Sequence, residues 1–248
     1  MGDVITVTGM VLSAMPVNDY DKRVVLLTRE RGKISAFAKG ARRMNSPLMG
    51  YSNPFCFGTF RLYEGRTSYN IQGADIDNYF QEVSTDIVCV YYGIYFMELA
   101  DYYTYENMDA SGELNLLYAS FRALKKDSIP NDLVRYIVEL KMMVLHGSYP
   151  QFFQCKECKK EEGLLYFSAA KGAVYCGECV RNAPDAIEIS QSTLYALQYI
   201  VATPIAKLFT FTVTEEVLAE LRMIMGRLML LTMDKKLNSL EMLELLEK

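Results

Sequence analysis

One histidine, His146, is present among 248 residues. Imidazole is the commonest general base and metal ligand near neutral pH, and no serine or cysteine stands in a recognisable nucleophile pattern with His146. His146 falls near the end of a predicted helix, where it reads as a capping or packing residue. No Gly-x4-Gly-Lys-Ser/Thr segment occurs, so a Walker-type phosphate loop is excluded and any ATP dependence has to come from a partner. The His-x-Glu pair ahead of Pro-Cys-x-x-Cys that marks a zinc deaminase is missing as well. The chain is not expected to be an enzyme. Long apolar runs are also lacking: the most apolar window, residues 87–100, is broken by Gly93 and Glu98 and carries three tyrosines. It falls short of the roughly 20 apolar residues a membrane span needs and reads as a buried helix, with no membrane partner. Residues 1–8 resemble neither a signal nor a transit peptide, so a cytoplasmic protein is expected.

What the chain does have is core-forming material: 51% of its residues are hydrophobic and 23% charged. That composition folds, as one large domain or two to three small ones. Short β-like runs over residues 4–13, 23–28, 33–38, 55–63, 67–72 and 75–80, separated by turn signals, predict five or six strands in a small barrel or sandwich. Gly9, inside the first run, marks a bulge or a sharp bend. From residue 82 the apolar spacing changes to three and four, predicting helices over 85–105, 111–126 and 131–145 and again over 190–202, 214–233 and 239–246. Pro130 and Gly147 bracket the third of these in the usual order of start and stop. The expected division is a β domain over 1–81, helical parts over 82–150 and 186–248, and a small ribbon over 151–185 between them, in all an α+β chain. Methionines 223, 225, 229, 233 and 242 in the last helices read either as plain core or as an adaptable partner groove.

Four of the six cysteines form two C-x-x-C pairs, Cys155 with Cys158 and Cys176 with Cys179, 17 residues apart. This spacing fits a four-thiolate zinc site. Each pair forms a tight turn whose sulfurs occupy adjacent corners of a tetrahedron, and Lys156, Lys159 and Lys160 can offset the charge. Four thiolates leave no open position for water, so one Zn2+ would be structural. The competing reading is a pair of redox motifs. Cys56 and Cys89 lie apart from the cluster and read as small buried hydrophobes.

Net charge is −4 overall, but residues 22–66 carry ten cations against Glu30 and Glu64 alone. They are Lys22, Arg23, Arg29, Arg31, Lys33, Lys39, Arg42, Arg43, Arg61 and Arg66, seven of them arginine, the better phosphate fork. Aromatics interleave with them: Tyr20, Phe37, Tyr51, Phe55, Phe57, Phe60, Tyr63 and Tyr69. A small barrel with a positive groove and aromatic platforms holds single-stranded nucleic acid, although alternation alone leaves open which rings face the core. The polar stretch 39–53 reads as a mobile loop that presents Lys39, Arg42 and Arg43 to an anionic partner. A zinc-ribbon module that binds an acidic protein through the same loop is the alternative.

Several segments together resemble the RecO family of bacterial recombinational DNA repair proteins. They are Gly9-Met-Val-Leu12, Asp19-Tyr-Asp-Lys22 ahead of Val24-Val-Leu-Leu-Thr28, Gly32, Ala38-Lys-Gly-Ala-Arg-Arg43 with Ser46, Gly147-Ser-Tyr-Pro150, and residues 155–158 and 172–179. The resemblance implies an N-terminal OB-fold barrel followed by a helical domain carrying a four-Cys zinc ribbon. It implies binding of single- and double-stranded DNA (ssDNA and dsDNA), annealing of complementary strands, and help in loading RecA onto DNA coated by the single-stranded DNA-binding protein. RecR and the single-stranded DNA-binding protein are the implied partners, with Lys39, Arg42 and Arg43 contacting phosphates in the nucleoid.

Overall fold

The computed structural model describes residues 3–66, 68–124, 126 and 128–246. Alternating burial builds the first part. Strands β1 (Val4–Val17), β2 (Asp21–Thr28), β3 (Gly32–Ala38), β4 (Phe57–Glu64) and β5 (Tyr69–Asn78) close a barrel in the order β1-β2-β3-β5-β4. Every pairing is antiparallel except β3 with β5, which is parallel and only two residue pairs long. This is the OB-fold arrangement. Every second residue turns inward, so Val7, Val11, Val24, Leu26, Ile34, Ala36, Phe60, Leu62 and Ile71 fill the interior.

The predicted runs 67–72 and 75–80 are one strand, β5; Thr67 lies outside the described residues. Arg61 pairs with Gly73 and Leu62 with Ile71, so Gln72 is an extra residue that resets the alternation and makes one strand read as two. In β1 the bulge falls at Leu12, between the pairs of Val11 and Ser13, and not at Gly9. Gly9 instead serves close approach: a Cβ there would lie 2.5 Å from the Leu27 carbonyl oxygen.

The stretch 39–53 is not a free loop. It contains a one-turn helix, α1 (Leu48–Tyr51), and is tied to the β1–β2 turn. The N–H of Arg42 donates to the Tyr20 carbonyl (2.8 Å), that of Gly40 to Asp21 Oδ1 (2.7 Å), and Ala41 and Ser52 are fully buried.

The chain forms two compact units, residues 1–125 with 237–248, and residues 126–236. In the first, α3 (Ile87–Tyr103) and α4 (Ser111–Ala123) pack on the barrel, α2 (Gln81–Ser84) packs on α3, and the last helix, Asn238–Leu246, packs on α3 as well. Asp86 caps α3, its Oδ1 accepting from the N–H of Val88 and Cys89. Phe80 meets Tyr118 and Phe121 edge-on at 5.2 Å, and Phe55 meets Phe121 at 5.3 Å. The turn after α3 lies on the β2–β3 turn: Asn107 N–H donates to Arg31 O, and Lys33 N–H to Tyr105 O. Gly32, at φ +64°, permits this contact, since a Cβ would sit 2.2 Å from the Tyr105 oxygen.

The second unit centres on α5 (Asn131–Leu145), which follows Pro130 and ends at His146, with Gly147 at φ +66°. Its buried Lys141 ammonium donates to the carbonyls of Ile200, Val201 and Thr203, satisfying the end of the later helix over 191–202. The ribbon β6 (Leu164–Ser168), β7 (Ala173–Cys176) and β8 (Ile187–Glu188) comes next, then α6 (Gln191–Ala202), α7 (Ile205–Leu208) and α8 (Glu215–Thr232). Met225 and Met229 are core, whereas Met223 and Met242 are exposed, so the methionines form no single stripe. Among the described residues no helix is long and apolar enough to cross a membrane.

Candidate nucleic-acid interface and metal centre

The first C-x-x-C pair precedes β6 and the second closes β7, and because Leu164 at the start of β6 pairs with Cys176, both lie at the same end of the β6–β7 hairpin. In the first, the N–H of Cys155 donates to Lys160 O and the N–H of Lys159 returns to Cys155 O, with Lys159 itself at φ +64°. In the second, the Cys179 N–H donates to Cys176 O, closing a tight turn at the end of β7. The four sulfurs of Cys155, Cys158, Cys176 and Cys179 all lie within 4.8 Å of one another, and Cys158 and Cys176 are 3.7 Å apart. A tetrahedron with metal–sulfur bonds of about 2.3 Å separates its sulfurs by about 3.8 Å, so the four thiols form a metal-binding cluster. Cys155 and Cys176 are buried, Cys158 exposed.

Burial pushes the Cys155 thiol up, but the N–H groups of Cys158, Cys176 and Glu157 aimed at its sulfur outweigh this and hold it at about 6. Burial and the neighbouring sulfurs push Cys179 up to about 12. Of the three nearby lysines, Lys160 bonds Glu178 at 2.8 Å and is also drawn to the Cys158 and Cys176 sulfurs. Lys156 and Lys159 direct their ammonium groups to the carbonyls of Lys171 and Lys156. Cys56 and Cys89 are buried apart from the cluster.

The ten cations of the barrel divide by what holds them. Arg31 pairs with Glu64 (3.6 Å), Lys33 with Asp101 on α3 (3.2 Å) and Arg61 with Asp75 (2.5 Å), and each therefore braces the first unit. Arg29 and Arg66 are exposed elsewhere on that unit. Lys22, Arg23, Lys39, Arg42 and Arg43 come from β2 and from the pinned stretch that follows β3. Among the described residues none of these five forms an ion pair with a carboxylate. Lys22 donates to Asn53 Oδ1 and Arg23 to Ser35 Oγ, while Arg42 Nη1 donates to Asn18 O at 3.0 Å. Burial, and behind it the charge of Arg42, hold the Lys22 ammonium below its usual range, while the buried Cys56 thiol acts in the opposite sense. The Arg43 guanidinium lies 5.1 Å from the centroid of the exposed Tyr20 ring.

The aromatics divide as well. Phe55, Phe60 and Tyr69 are core, and Phe57 packs on Tyr118 at 4.8 Å. Tyr20 and Tyr63 are exposed, and Phe37 is half-buried on the outer face of β3. A groove of about 390 Å³ opens beside Tyr63, lined also by Lys39, Leu48, Asn70, Ile71 and Gln72. Asn70 and Gln72 are absent from the sequence-predicted site, because neutral amides carry no charge or periodicity signal.

Residues 1–80 match the family model "Recombination protein O N terminal" and residues 84–241 the model "Recombination protein O C terminal". The chain is 30% identical to DNA repair protein RecO of Acetivibrio thermocellus over 97% of this chain and 96% of that protein. It is 29% identical to DNA repair protein RecO of Bacillus subtilis, covering 87% and 84%, and 27% identical to that of Clostridium perfringens, covering 97% of each.

Proposed function

Because the chain belongs to the RecO family of DNA repair proteins, we propose that it acts as a recombination mediator: it binds ssDNA and dsDNA on the barrel, anneals complementary strands, and helps RecA replace the single-stranded DNA-binding protein. The supporting observation is the set of Lys22, Arg23, Lys39, Arg42 and Arg43: Lys22, Arg23 and Arg42 bond the neutral acceptors Asn53, Ser35 and the Asn18 carbonyl, Arg43 lies on the Tyr20 ring, and among the described residues none of the five is paired with a carboxylate. Unneutralised cations lower the repulsion between two phosphate backbones without closing over the bases, which stay available for pairing. No bond is made or broken, so the process needs no catalytic residue. RecR and the single-stranded DNA-binding protein are the protein partners in this reading, and the nucleoid in the cytoplasm is its place of action.

Zinc is the metal that suits the cysteine cluster, because four thiolates at tetrahedral separations match its preferred donors and coordination number. It would cross-link the segment before β6 to the turn that closes β7 and supply folding free energy to the second unit.

The test is ssDNA affinity measured by fluorescence anisotropy at several salt concentrations. Arg42→Ala combined with Arg43→Ala is expected to weaken binding to unrelated sequences alike and to flatten the plot of log affinity against log salt by about 1.4, two single-strand phosphate contacts. Unchanged affinity would remove the pinned stretch from the interface. No binding by the wild-type chain at low salt, with one zinc bound, would favour a protein-interaction role instead.

A further inference from the structure

The groove beside Tyr63 arises from two irregularities of the barrel. The parallel ladder between β3 and β5 stops after the pairs of Ala36 with Tyr69 and Phe37 with Asn70. Continued, it would set Lys39 against Gln72; instead the two strands part there, and α1 places Leu48 over the gap. The β5 bulge falls at the same point, leaving Gln72 without a partner residue on β4 and re-aiming its side chain at the surface. Tyr63, directly across the ladder from Asn70, is 37% exposed and forms a wall of the groove.

The lining is chemically mixed in a specific way. Leu48 supplies an apolar patch, Tyr63 a ring face, Asn70 and Gln72 two carboxamides that both donate and accept, and Lys39 a cation, while Ile71 turns its side chain into the barrel. An aromatic face with amides at its edge and a cation beside it meets the three parts of a nucleotide: base ring, base edge and phosphate. The volume, about 390 Å³, lies at the small end of ligand sites. A duplex cannot use such a groove, because its base edges are paired and its ring faces stacked.

We propose that this groove takes one unpaired base of bound DNA, with Tyr63 stacked on the ring, Asn70 and Gln72 on its edge and Lys39 on the adjoining phosphate. This rests on the reading of the barrel as a DNA-binding surface, and goes beyond it in giving the surface a reason to prefer single strands over duplex. One base held per protein also anchors a strand's position while the remaining bases stay free to pair.

The sequence contains no tryptophan, so Tyr63→Trp introduces a single emitter at the groove. Its fluorescence is expected to be quenched by an oligothymidine but not by an abasic strand of equal length or by duplex. Tyr63→Ala is expected to lower oligothymidine affinity about tenfold, the order for one stacked base, and to leave abasic-strand affinity unchanged. Gln72→Ala is a second variant expected to weaken oligothymidine binding alone. Equal weakening of both strands by Tyr63→Ala, or no quenching by oligothymidine, would overturn the base site. The DNA-binding reading would still stand in those cases if wild-type protein binds the abasic strand and Arg42→Ala with Arg43→Ala weakens it. Absence of all strand binding would overturn both.

Discussion

At the scale of single residues, two positions carry consequences larger than their size. Gly32 occupies the left-handed region at φ +64°, with the Tyr105 carbonyl 2.2 Å from where a Cβ would stand. Gly32→Ala combines backbone strain with a collision against main chain, which cannot rotate away. A loss of about 2 to 3 kcal/mol in urea denaturation is the expected result. Tyr136 on α5 accepts a hydrogen bond from Arg222 Nε on α8 (3.1 Å), while Arg222 Nη2 reaches Asp132 at 2.5 Å. Tyr136→Phe removes the first of these and should cost about 1 kcal/mol at pH 7. Burial, with a contribution from Asp132 and against the pull of Arg222, pushes the Tyr136 phenol up to about 12. A group raised in the folded state stabilises it fully below the unfolded value, near 10, and loses that contribution as pH climbs toward the folded one. The stability gap between wild type and Tyr136→Phe should therefore shrink between pH 10 and 12, as followed by thermal melts; a constant gap would mean that Tyr136 does not titrate differently on unfolding.

Among the elements, the helices depend on caps that local chemistry supplies. Asp86→Ala leaves the Val88 and Cys89 N–H groups without their acceptor and is expected to lower the melting free energy of the first unit by about 1 kcal/mol. The same contrast explains which elements were legible beforehand. Alternation in β1 to β4 and three-four spacing from α3 onward report burial directly, because each side chain's face is fixed by the period of its own backbone. Bulges shift that period: Gln72 divides β5 into two apparent strands, and the kink of β1 falls at Leu12 while Gly9 draws the eye. The cysteine cluster was legible because ligand spacing is local in sequence, whereas the division of the barrel's cations was not. Arg61 finds Asp75 across a strand pair and Lys33 finds Asp101 on a helix, contacts that exist only once the chain has folded. The stretch after β3 looked mobile from its glycine and polar residues, yet its N–H groups are spent on Tyr20 and Asp21.

For the molecule as a whole, the basic face and the cysteine cluster belong to different compact units, residues 1–125 with 237–248 and residues 126–236. The barrel closes its own hydrogen-bond ladder around its own apolar interior, so its fold does not depend on thiolate chemistry. The ribbon is three short strands with the cysteines gathered at one end of the β6–β7 hairpin, too little surface to stay ordered unaided. A metal bound only by the folded form stabilises that form and nothing else. Chelation is therefore expected to release one zinc per chain and to split a single thermal transition into two, the lower one assigned to residues 126–236 by limited proteolysis. Oligothymidine affinity should meanwhile stay within about twofold at a temperature below the lower transition, because the cations proposed to meet phosphate are all in the unit the metal does not hold together. A parallel loss of zinc and of strand binding would show that the second unit supplies part of the nucleic-acid surface, and would move the search for further contacts to the lysines around Cys155 and Cys158.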